Sequence, residues 1–377
     1  MIRFLKLDRS FVLSMLLITP SIFTCVIGLL DLPLPARFFS YAICFLLLFL
    51  IAFLNNNFYL GFRRKKLFCY NVLVLMILLY YTVFSASNIA SYIEFYSFVY
   101  LVCIPVFIIY LLNFKFLECD YKRVVRSLSY FSALAVLFFL LLYVAGLTHV
   151  VGYSVIPIGM DNQIWFSRFL TDYIFMMIFY ILHYKKLPVI QILAVISGFV
   201  LLYYTGSRAP VVAMFFAVAM LVYSCYRAYF VVFVLLFSPF IVYGLFLSLK
   251  AMFSFNAYSV LERFSLYTQA IELISANWFG YGNSSFGILT LGVDEIWYPH
   301  NIFLELLVNF GILGFLVFLV FLVLVFRQLD FRNVFSYLFV MALINSLSSG
   351  SLPGNNNVFV YGFIVLTVGN LLMKSRP

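Results

Sequence analysis

The residue best placed to carry out chemistry is His300, which stands directly after a proline at the start of a long apolar segment, WYPHNIFLELLVNFG. A neutral imidazole in a cleft that partly excludes water can act as a general base. Neighbouring arginines would disfavour its protonation, whereas Asp294 and Glu295 just upstream would favour it, so the sequence leaves the charge state open. The alternative interpretation is a structural histidine beside Asn301, which would cap the helix.

Three arginines predicted to lie at the same membrane face form a candidate anion site. Arg168 lies about one turn into an apolar segment, Arg208 lies in the turn YTGSRAP, and Arg263 lies on an amphipathic stretch. Guanidinium groups bind phosphate and pyrophosphate in a bidentate manner. Ser207 would cap the helix after the turn, with Pro210 in its first turn, so that backbone donors would converge with Arg208 on one anion.

Each arginine also has a structural interpretation. Arg168 would extend to the outer headgroups, or would pair with Asp161 or with Asp172 four residues downstream. Arg208 would be an interfacial residue in a tight turn. Arg263 would be a solvated charge on the polar face of its helix.

Signatures of nucleotide and metal chemistry are absent from the sequence. It contains neither GxxxxGK[ST] nor GxGxxG after a strand, and neither a DxD-like nor an HExxH pattern. The six cysteines form no CxxC pair. We therefore expect no metal and no cofactor, and an activity driven by its own substrate rather than by ATP.

The composition indicates that membrane helices position these residues. Of 377 residues, 66% are hydrophobic, 21% aromatic and 10% charged, which indicates a polytopic membrane protein. Residues 1–377 are predicted to form one integral membrane domain, an all-α transmembrane bundle. Apolar stretches between polar breaks predict about twelve spans: 11–30, 38–54, 67–85, 96–113, 128–147, 164–182, 188–204, 210–226, 230–249, 301–326, 334–348 and 358–373.

Basic residues predict the orientation, because Lys and Arg are retained on the cytoplasmic side. With both termini cytoplasmic, most of the 23 Lys and Arg residues fall on the inner side, and the net charge of +10 comes from inner loops rather than from a nucleic-acid interface. The basic residues predicted on or near the outer side are Arg37, Arg168, Arg208, Lys250 and Arg263.

The longest predicted loop, residues 250–300, lies on the outer side between the ninth and tenth spans and is expected to form part of an active-site cleft. An amphipathic helix is predicted within it from Ser259 to Ile274. Its apolar or aromatic positions recur at three- and four-residue intervals: Leu261, Phe264, Tyr267 or Thr268, Ile271 and Ile274. Aromatic and amide side chains in such a groove would suit contacts to sugars, although they are also common at membrane interfaces. The candidates for sugar or cleft contacts are Tyr298, Asn301 and Asn283.

Four stretches together resemble one family: NQIWFSRFL, YTGSRAPVVAMFFAV, NWFGYGNSSFG and HNIFLELLVNFGILGFLVF. Their order and spacing resemble the bacterial O-antigen polymerase and ligase superfamily over about residues 160–325. That resemblance implies a metal-independent membrane glycosyltransferase that uses an undecaprenyl-pyrophosphate-linked oligosaccharide at the periplasmic face of the inner membrane. It also implies that His300 is the base and that Arg168 and Arg263 bind the donor pyrophosphate, with Arg208 as a third contributor.

Within the superfamily, the short outer loop favours a polymerase, which transfers the chain to a new lipid-linked repeat unit. A ligase, which transfers the chain to lipid A core, is the alternative. The resemblance implies membrane lipids, the lipid-linked oligosaccharide and a chain-length regulator protein as partners. From other classes, a flippase or transporter would need charges along many spans, and a noncatalytic scaffold would not need His300.

Overall fold

The computed structural model describes residues 17, 74, 76–106, 118–151, 154–158, 162–185, 188–227, 230–231, 258–348 and 351–372. The predicted spans 11–30, 38–54 and 230–249 lie almost wholly outside these residues, as does much of the span 67–85. Asp161, an alternative partner of Arg168, also lies outside them.

The described chain is almost entirely helical. Its helices are α1 (Ile89–Phe98, continued by a π-helical turn, Val99–Cys103), α2 (Glu118–Val144), α3 (Gln163–Tyr184), α4 (Val189–Thr205), α5 (Arg208–Cys225), α6 (Tyr258–Ala276), α7 (Phe286–Leu291), α8 (Ile302–Phe326), α9 (Val334–Ser346) and α10 (Asn356–Leu372). A short helical segment, 76–83, precedes α1, and a 3-10 turn, Pro353–Asn355, precedes α10.

Five described helices are long and apolar enough to cross a membrane: Ile89–Val106, Tyr121–Val144, Gln163–Tyr184, Arg208–Cys225 and Ile302–Phe326. At 1.5 Å per residue, the 22 residues of α3 extend over about 33 Å, enough for a hydrocarbon core of about 30 Å. The helices α3, α4, α5, α8, α9 and α10 begin and end within a few residues of predicted spans. A multi-pass helical membrane protein is therefore supported, although the total of twelve spans includes segments outside the described residues.

The prediction of a purely helical chain was wrong at one place between α2 and α3. Strands β1 (Thr148–Val151) and β2 (Ser154–Pro157) form an antiparallel hairpin, in which His149 pairs with Ile156. The predicted spans 128–147 and 164–182 leave this segment as the connection between them. Its β-branched residues favour the extended backbone, because they pack well on a pleated surface.

Contacts between helix termini define two ends of the bundle. At the first, here called the site end, Arg168 at the start of α3 donates to the Asn345 carbonyl at the end of α9 (3.0 Å). Asn301 before α8 donates to the Leu347 carbonyl just after α9 (3.3 Å), and Ser154 of the hairpin donates to the last carbonyl of α4 (2.5 Å). The starts of α3, α5 and α8 therefore lie at one end.

At the opposite end of the bundle lie the first residues of α2 and α9 and the last residues of α3 and α5. Tyr226 donates to the Leu182 carbonyl (3.0 Å), and the Tyr121 hydroxyl accepts from the Val334 backbone N–H (2.7 Å). Basic side chains gather at this end, in the distribution that the positive-inside rule describes: Lys122, Arg123, Arg126, Lys185, Arg227, Arg327 and Arg332.

The helix α8 is interrupted at Gly311, where φ is 60° and ψ is −163°. The loop that follows α6 supplies the hydrogen-bond partners that the interrupted helix lacks, as polar backbone within an apolar layer requires. Three hydrogen bonds, each of 2.9 Å, join the two: Tyr281 N–H to Val308 O, Gly282 N–H to Asn309 O, and Ile312 N–H to Trp278 O. The sequence had predicted an uninterrupted span here.

The helix α6 confirms the predicted amphipathic segment and packs on α8. Three residues of the predicted stripe, Leu261, Phe264 and Ile271, are exposed, as expected for a face turned toward lipid headgroups. Ile274, also predicted in that stripe, is partly buried instead. A second apolar face, missed in the sequence, is buried: Leu266 and Ala270 pack with residues of α7 and α8. The helix therefore anchors the outer loop to the broken span.

Candidate active site

His300 lies in a short connection between the outer loop and α8, with a backbone φ of 55°. The next residue, Asn301, is the N-cap of α8: its side-chain oxygen accepts from the backbone N–H groups of Phe303 (2.9 Å) and Leu304 (3.3 Å). The cap bears out this part of the alternative, structural interpretation of the segment, and the contact between Asn301 and a sugar stays a prediction. The cap fixes where the helix begins, and with it the position of the histidine just outside.

The environment of His300 favours its neutral form. Its ring packs edge-on against Tyr298, with ring centroids 4.8 Å apart, and its Nδ1 is buried without a hydrogen-bond partner among the described residues. Burial, and to a smaller extent the nearby positive charge of Arg263, together lower the pKa of His300 to about 4. At neutral pH the imidazole is therefore uncharged and able to accept a proton.

The upstream carboxylate of Asp294 is bound elsewhere. Its two oxygens accept hydrogen bonds from the Ser87 hydroxyl (2.5 Å) and from the backbone N–H groups at the start of α1: Asn88 (3.2 Å), Ile89 (2.9 Å) and Ala90 (3.2 Å). The Ser87 hydrogen bond, and then the backbone donors, hold the pKa of Asp294 below its usual range. Asp294 thus caps α1, about two hundred residues away in the chain. Of the charges weighed in the sequence, it is that of Arg263 that acts on His300, and it disfavours protonation of the imidazole.

We expect Asp294→Asn to destabilise the protein by about 1 kcal/mol, the usual cost of a lost helix cap, because an amide nitrogen would face N–H donors. Since the pKa of Asp294 is lowered, its contribution is present at neutral pH and is lost as the pH falls through that lowered pKa. Thermal unfolding in detergent measures the change. Glu295→Gln, at the exposed neighbour, is the matched control, and equal unfolding temperatures for the two variants would contradict the capping role.

Arg263 and Arg168 approach the histidine from two helices. Arg263 is half-buried on α6, and its charge acts on His300. Arg168 is 6% exposed and donates to the Gly354 carbonyl (2.8 Å) and the Asn355 side-chain oxygen (3.0 Å), besides its bond to the end of α9. Its charge also acts on Tyr298, which contacts His300. The structure thus brings the two predicted arginines and the histidine into one neighbourhood.

Asp172, an alternative partner of Arg168, lines the same small cavity as that arginine. Its carboxylate accepts hydrogen bonds from Asn357 (2.9 Å) and Tyr361 (2.8 Å) of α10. Arg168 thus binds the segment that joins α9 to α10, Asp172 binds α10 itself, and the two together fix the start of α3.

Arg208 lies at the first position of α5 and is exposed. It forms no hydrogen bond or ion pair with another residue in the part of the chain that the structure describes. The predicted cap was wrong: Ser207 occupies the N-cap position, but its side chain makes no capping hydrogen bond. Pro210 does lie in the first turn, as predicted. Arg208 shares the site end with the other candidates but no contact with them.

Asn283 is a buried structural residue of the outer loop. Its side chain donates to the Ser91 carbonyl of α1 (3.1 Å), and its backbone N–H donates to the Tyr81 carbonyl (2.9 Å). Because it is 1% exposed, contact with a sugar would require the loop to move. Tyr298, half-buried beside His300, remains a candidate for substrate contact.

A comparison with protein families bears on this arrangement. Residues 192–319 match the family model described as O-antigen ligase. This match supports the predicted resemblance to the O-antigen polymerase and ligase superfamily over this segment. Neither the curated proteins nor the solved structures gave a significant match. The superfamily segment includes Arg208, Arg263 and His300 but not Arg168, although the resemblance in the sequence extends to that residue.

Two further residues near the site were missed in the sequence: Glu94 of α1 and Glu305 of α8. Both are buried within apolar helices, where a carboxyl group is costly and usually functional. Glu305 lies in the superfamily segment, five residues after His300, and Glu94 lies outside it. The signal was available, because a lone Glu within SYIEFYSF or IFLELL marks an ionisable group inside a membrane span.

Among the described residues, no group of three or more His, Cys, Asp or Glu side chains is arranged to hold a metal ion. The candidate site carries positive charge on the guanidinium groups of Arg168 and Arg263. In chemical terms the arrangement offers a neutral imidazole, a cationic group beside it, and an aromatic hydroxyl residue that contacts the imidazole.

Proposed function

We propose that this protein is a surface-polysaccharide (O-antigen) polymerase. It transfers the glycan chain from undecaprenyl pyrophosphate to a new lipid-linked repeat unit at the periplasmic face of a bacterial inner membrane. The observation that carries the proposal is the pairing of His300 with Arg263: burial and the nearby cation lower the imidazole pKa to about 4 and keep it unprotonated. Glycosyl transfer from a pyrophosphate requires two groups side by side: an unprotonated base and a cation that binds phosphate.

In the proposed reaction, His300 accepts the proton of an acceptor hydroxyl as that oxygen attacks the anomeric carbon of the donor sugar. The bond between the anomeric carbon and the pyrophosphate oxygen breaks, and the electron pair leaves with undecaprenyl pyrophosphate. Attack from the opposite side inverts the configuration. The leaving group needs charge stabilisation more than protonation, so arginines can take the place of a metal. No cofactor is required.

The arginines take different parts in this proposal. Arg263 is assigned to the donor pyrophosphate because it lies beside the base. Arg168 is assigned to the same group, although pyrophosphate would have to compete with the protein acceptors that now bind its Nη atoms. Arg208 is exposed at the site end and is assigned a supporting role in attracting the anionic donor.

The orientation in the membrane follows from the distribution of charge. The end opposite the site is rich in Lys and Arg, and the positive-inside rule assigns such an end to the cytoplasm. The site end would then face the periplasm, where finished lipid-linked repeat units are available. The lipid headgroup region would receive the exposed apolar stripe of α6.

Arg263→Ala is expected to move the acid limb of the pH–rate profile to higher pH. Arg263 lowers the pKa of His300, so its removal makes protonation easier, while burial still keeps that pKa below the usual histidine value. Arg263→Lys keeps the charge, so the limb should stay in place while the donor KM rises, because a point charge cannot form the bidentate fork. Rates measured against pH at low donor concentration test both.

Arg208→Ala is the matched control for the acid limb, since Arg208 is not among the charges that act on His300. It should leave the limb in place whatever its effect on the rate. An acid limb that does not move in Arg263→Ala would contradict the proposed coupling between Arg263 and the base.

The same site chemistry would serve a ligase, and the family description favours that as the second candidate. Purified protein supplied with a lipid-linked repeat unit alone separates the two functions. Formation of polymer without lipid A core supports the polymerase. Transfer only when lipid A core is added supports the ligase, and no transfer to either acceptor contradicts both.

A further inference from the structure

The helix α8, which begins beside His300, and the helix α3, which carries Arg168, bind one and the same segment. This segment, residues 351–355, lies between α9 and α10 and is here called the 351–355 turn. The backbone N–H of Asn355 donates to the Ser351 carbonyl (2.9 Å), and the backbone N–H of Gly354 donates to the Ser351 hydroxyl (3.3 Å). The turn is therefore closed by hydrogen bonds of its own.

Glu305 joins α8 to this turn. Its Oε1 accepts a hydrogen bond from the Leu352 backbone N–H (2.7 Å), and the residue is 1% exposed. The backbone N–H of Glu305 in turn donates to the Asn301 carbonyl (2.9 Å), which is the first hydrogen bond of α8. Because Asn301 follows His300 directly, a continuous series of covalent and hydrogen bonds connects the histidine to the 351–355 turn.

Arg168 joins α3 to the same turn. Its Nη1 donates to the Gly354 carbonyl (2.8 Å) and to Asn355 Oδ1 (3.0 Å), and Asn355 is 2% exposed. The turn also packs closely on α3, since a Cβ atom on Gly354 would lie 3.0 to 3.2 Å from three atoms of the Trp165 indole ring. The turn therefore orients the guanidinium group, and the close contact leaves little room for the turn to shift along α3.

The end of α9 is shared by α3 and α8 in the same way. Nη2 of Arg168 donates to the Asn345 carbonyl (3.0 Å), and the Asn301 side chain donates to the Leu347 carbonyl (3.3 Å). The start of α8 and the arginine of α3 thus have two partners in common, the end of α9 and the 351–355 turn. Of these two links, only the one through the turn rests on side chains, Glu305 and Asn355, for which the proposed reaction has no other use.

We propose that Glu305 and Asn355 are positioning residues for glycosyl transfer. Through the 351–355 turn they keep the start of α8, and with it His300, at a fixed separation from the guanidinium group of Arg168. Neither residue touches the reacting atoms. An error of about 1 Å in the placement of a base can lower a rate by about 10²-fold, so the turn controls kcat. The effect on catalysis rests on the proposed function, whereas the linkage of α3 to α8 through the turn does not.

Glu305→Met and Asn355→Leu each remove one acceptor and keep the approximate size of the side chain. Each should lower the kcat of the purified protein by about 10-fold or more. The donor KM should stay near its wild-type value, because Arg263 and Arg208 still bind the donor. The two side chains act in series on one turn, so the double variant should be hardly slower than the slower single variant. Losses of kcat that multiply, or a raised KM with an unchanged kcat, would overturn the proposal.

Conservative replacements separate positioning from acid–base chemistry. Glu305→Gln keeps an acceptor oxygen for the Leu352 N–H but has no carboxyl group, and it should keep the wild-type kcat. Asn355→Asp should also keep kcat, with a higher donor KM, because a carboxylate competes better than an amide with pyrophosphate for Arg168. These nearly isosteric changes keep the proposal testable should the apolar variants fail to fold. A kcat in Glu305→Gln as low as in Glu305→Met, or a low kcat in Glu305→Gln alone, would show that the carboxyl group itself reacts.

Asn333→Leu is the control for stability. Asn333 is also fully buried, and its side chain caps α9 at the opposite end of the bundle by accepting from the Phe335 backbone N–H (3.0 Å). This variant should lower the unfolding temperature and leave the kcat of the folded protein unchanged. If kcat falls as far as it does in Asn355→Leu, the loss of any buried hydrogen bond slows the reaction, and the special role of the turn is rejected.

Hydrogen exchange measured by mass spectrometry tests the linkage without substrate. Asn355→Leu should speed exchange at the Leu352 N–H and, through the turn, at the Glu305 N–H in the first turn of α8. Glu305→Met should speed exchange at the Leu352 N–H, and Glu305→Gln should not. Unchanged exchange at the start of α8 in Asn355→Leu would reject the linkage. Failure of the polymerase assignment would appear elsewhere, as an absence of transfer by the wild type, and would not affect the exchange result.

Discussion

Replacement of His300 with Asn is expected to lower the rate of chain extension by a factor of about 10² to 10⁴, the usual contribution of a positioned general base. Asparagine is the sharpest substitution because the backbone φ of 55° at this position is one that Asn tolerates and that Ala does not favour. The amide keeps polarity and approximate size but is not basic. Polymer length on a gel and initial rates with purified protein measure the loss.

The matched control is His149→Asn, the same replacement in the β-hairpin. His149 was not predicted to belong to the site. That variant should extend chains at the wild-type rate. Both variants should be present in the membrane at wild-type abundance, since neither change removes a buried partner. Normal long-chain polysaccharide from His300→Asn would reject the role of His300 as the base, and with it the proposed mechanism.

The second large effect is expected at the break in α8. A Cβ atom on Gly311 would lie 2.3 Å from the Phe279 carbonyl carbon and 2.5 Å from the Trp278 oxygen, and both are backbone atoms that cannot rotate away. The backbone at Gly311 also has a conformation that is essentially restricted to glycine. Gly311→Ala should therefore separate the loop from the helix and cost about 3 kcal/mol or more of unfolding free energy.

Gly292→Ala isolates the two contributions. Gly292 also has a positive φ, 71°, but nothing lies within 4 Å of an added Cβ atom. Its replacement should cost only the conformational penalty of about 1 to 2 kcal/mol. The two variants are compared by their thermal unfolding temperatures and by the fraction of protein that is monodisperse after detergent extraction. Equal losses would show that the close approach of loop and helix contributes nothing beyond backbone preference.

The sequence predicts most of the helices because each is a long apolar run, and an apolar run of that length has few alternatives to a helix in a membrane. Several boundaries, such as those of α3, α4 and α8, were correct to within two residues because Asn, Pro and Arg mark them. The hairpin of β1 and β2 was missed because its strands have four residues each, too short for an alternating pattern to be distinguished from a turn.

Within the site, the sequence indicated His300 and Arg263 but not what each one contacts. The effect of Asp294 could not be predicted, because its capping of α1 joins segments about two hundred residues apart. The break at Gly311 was hidden because NFGILGF is as apolar as an unbroken span. Glu94 and Glu305 were overlooked although each is a lone carboxyl group in an apolar run, a signal that the sequence does carry.

The cap of α1 by Asp294 has a consequence for the order of assembly. The donors and the acceptor of its hydrogen bonds are separated by 204 to 207 positions in the chain. At about 5 to 20 residues per second, a ribosome needs roughly 10 to 40 s to synthesise the intervening chain. During that time the first turn of α1 must rely on water or lipid headgroups for its N–H groups, so α1 can settle into its final depth only after the last quarter of the protein begins to emerge.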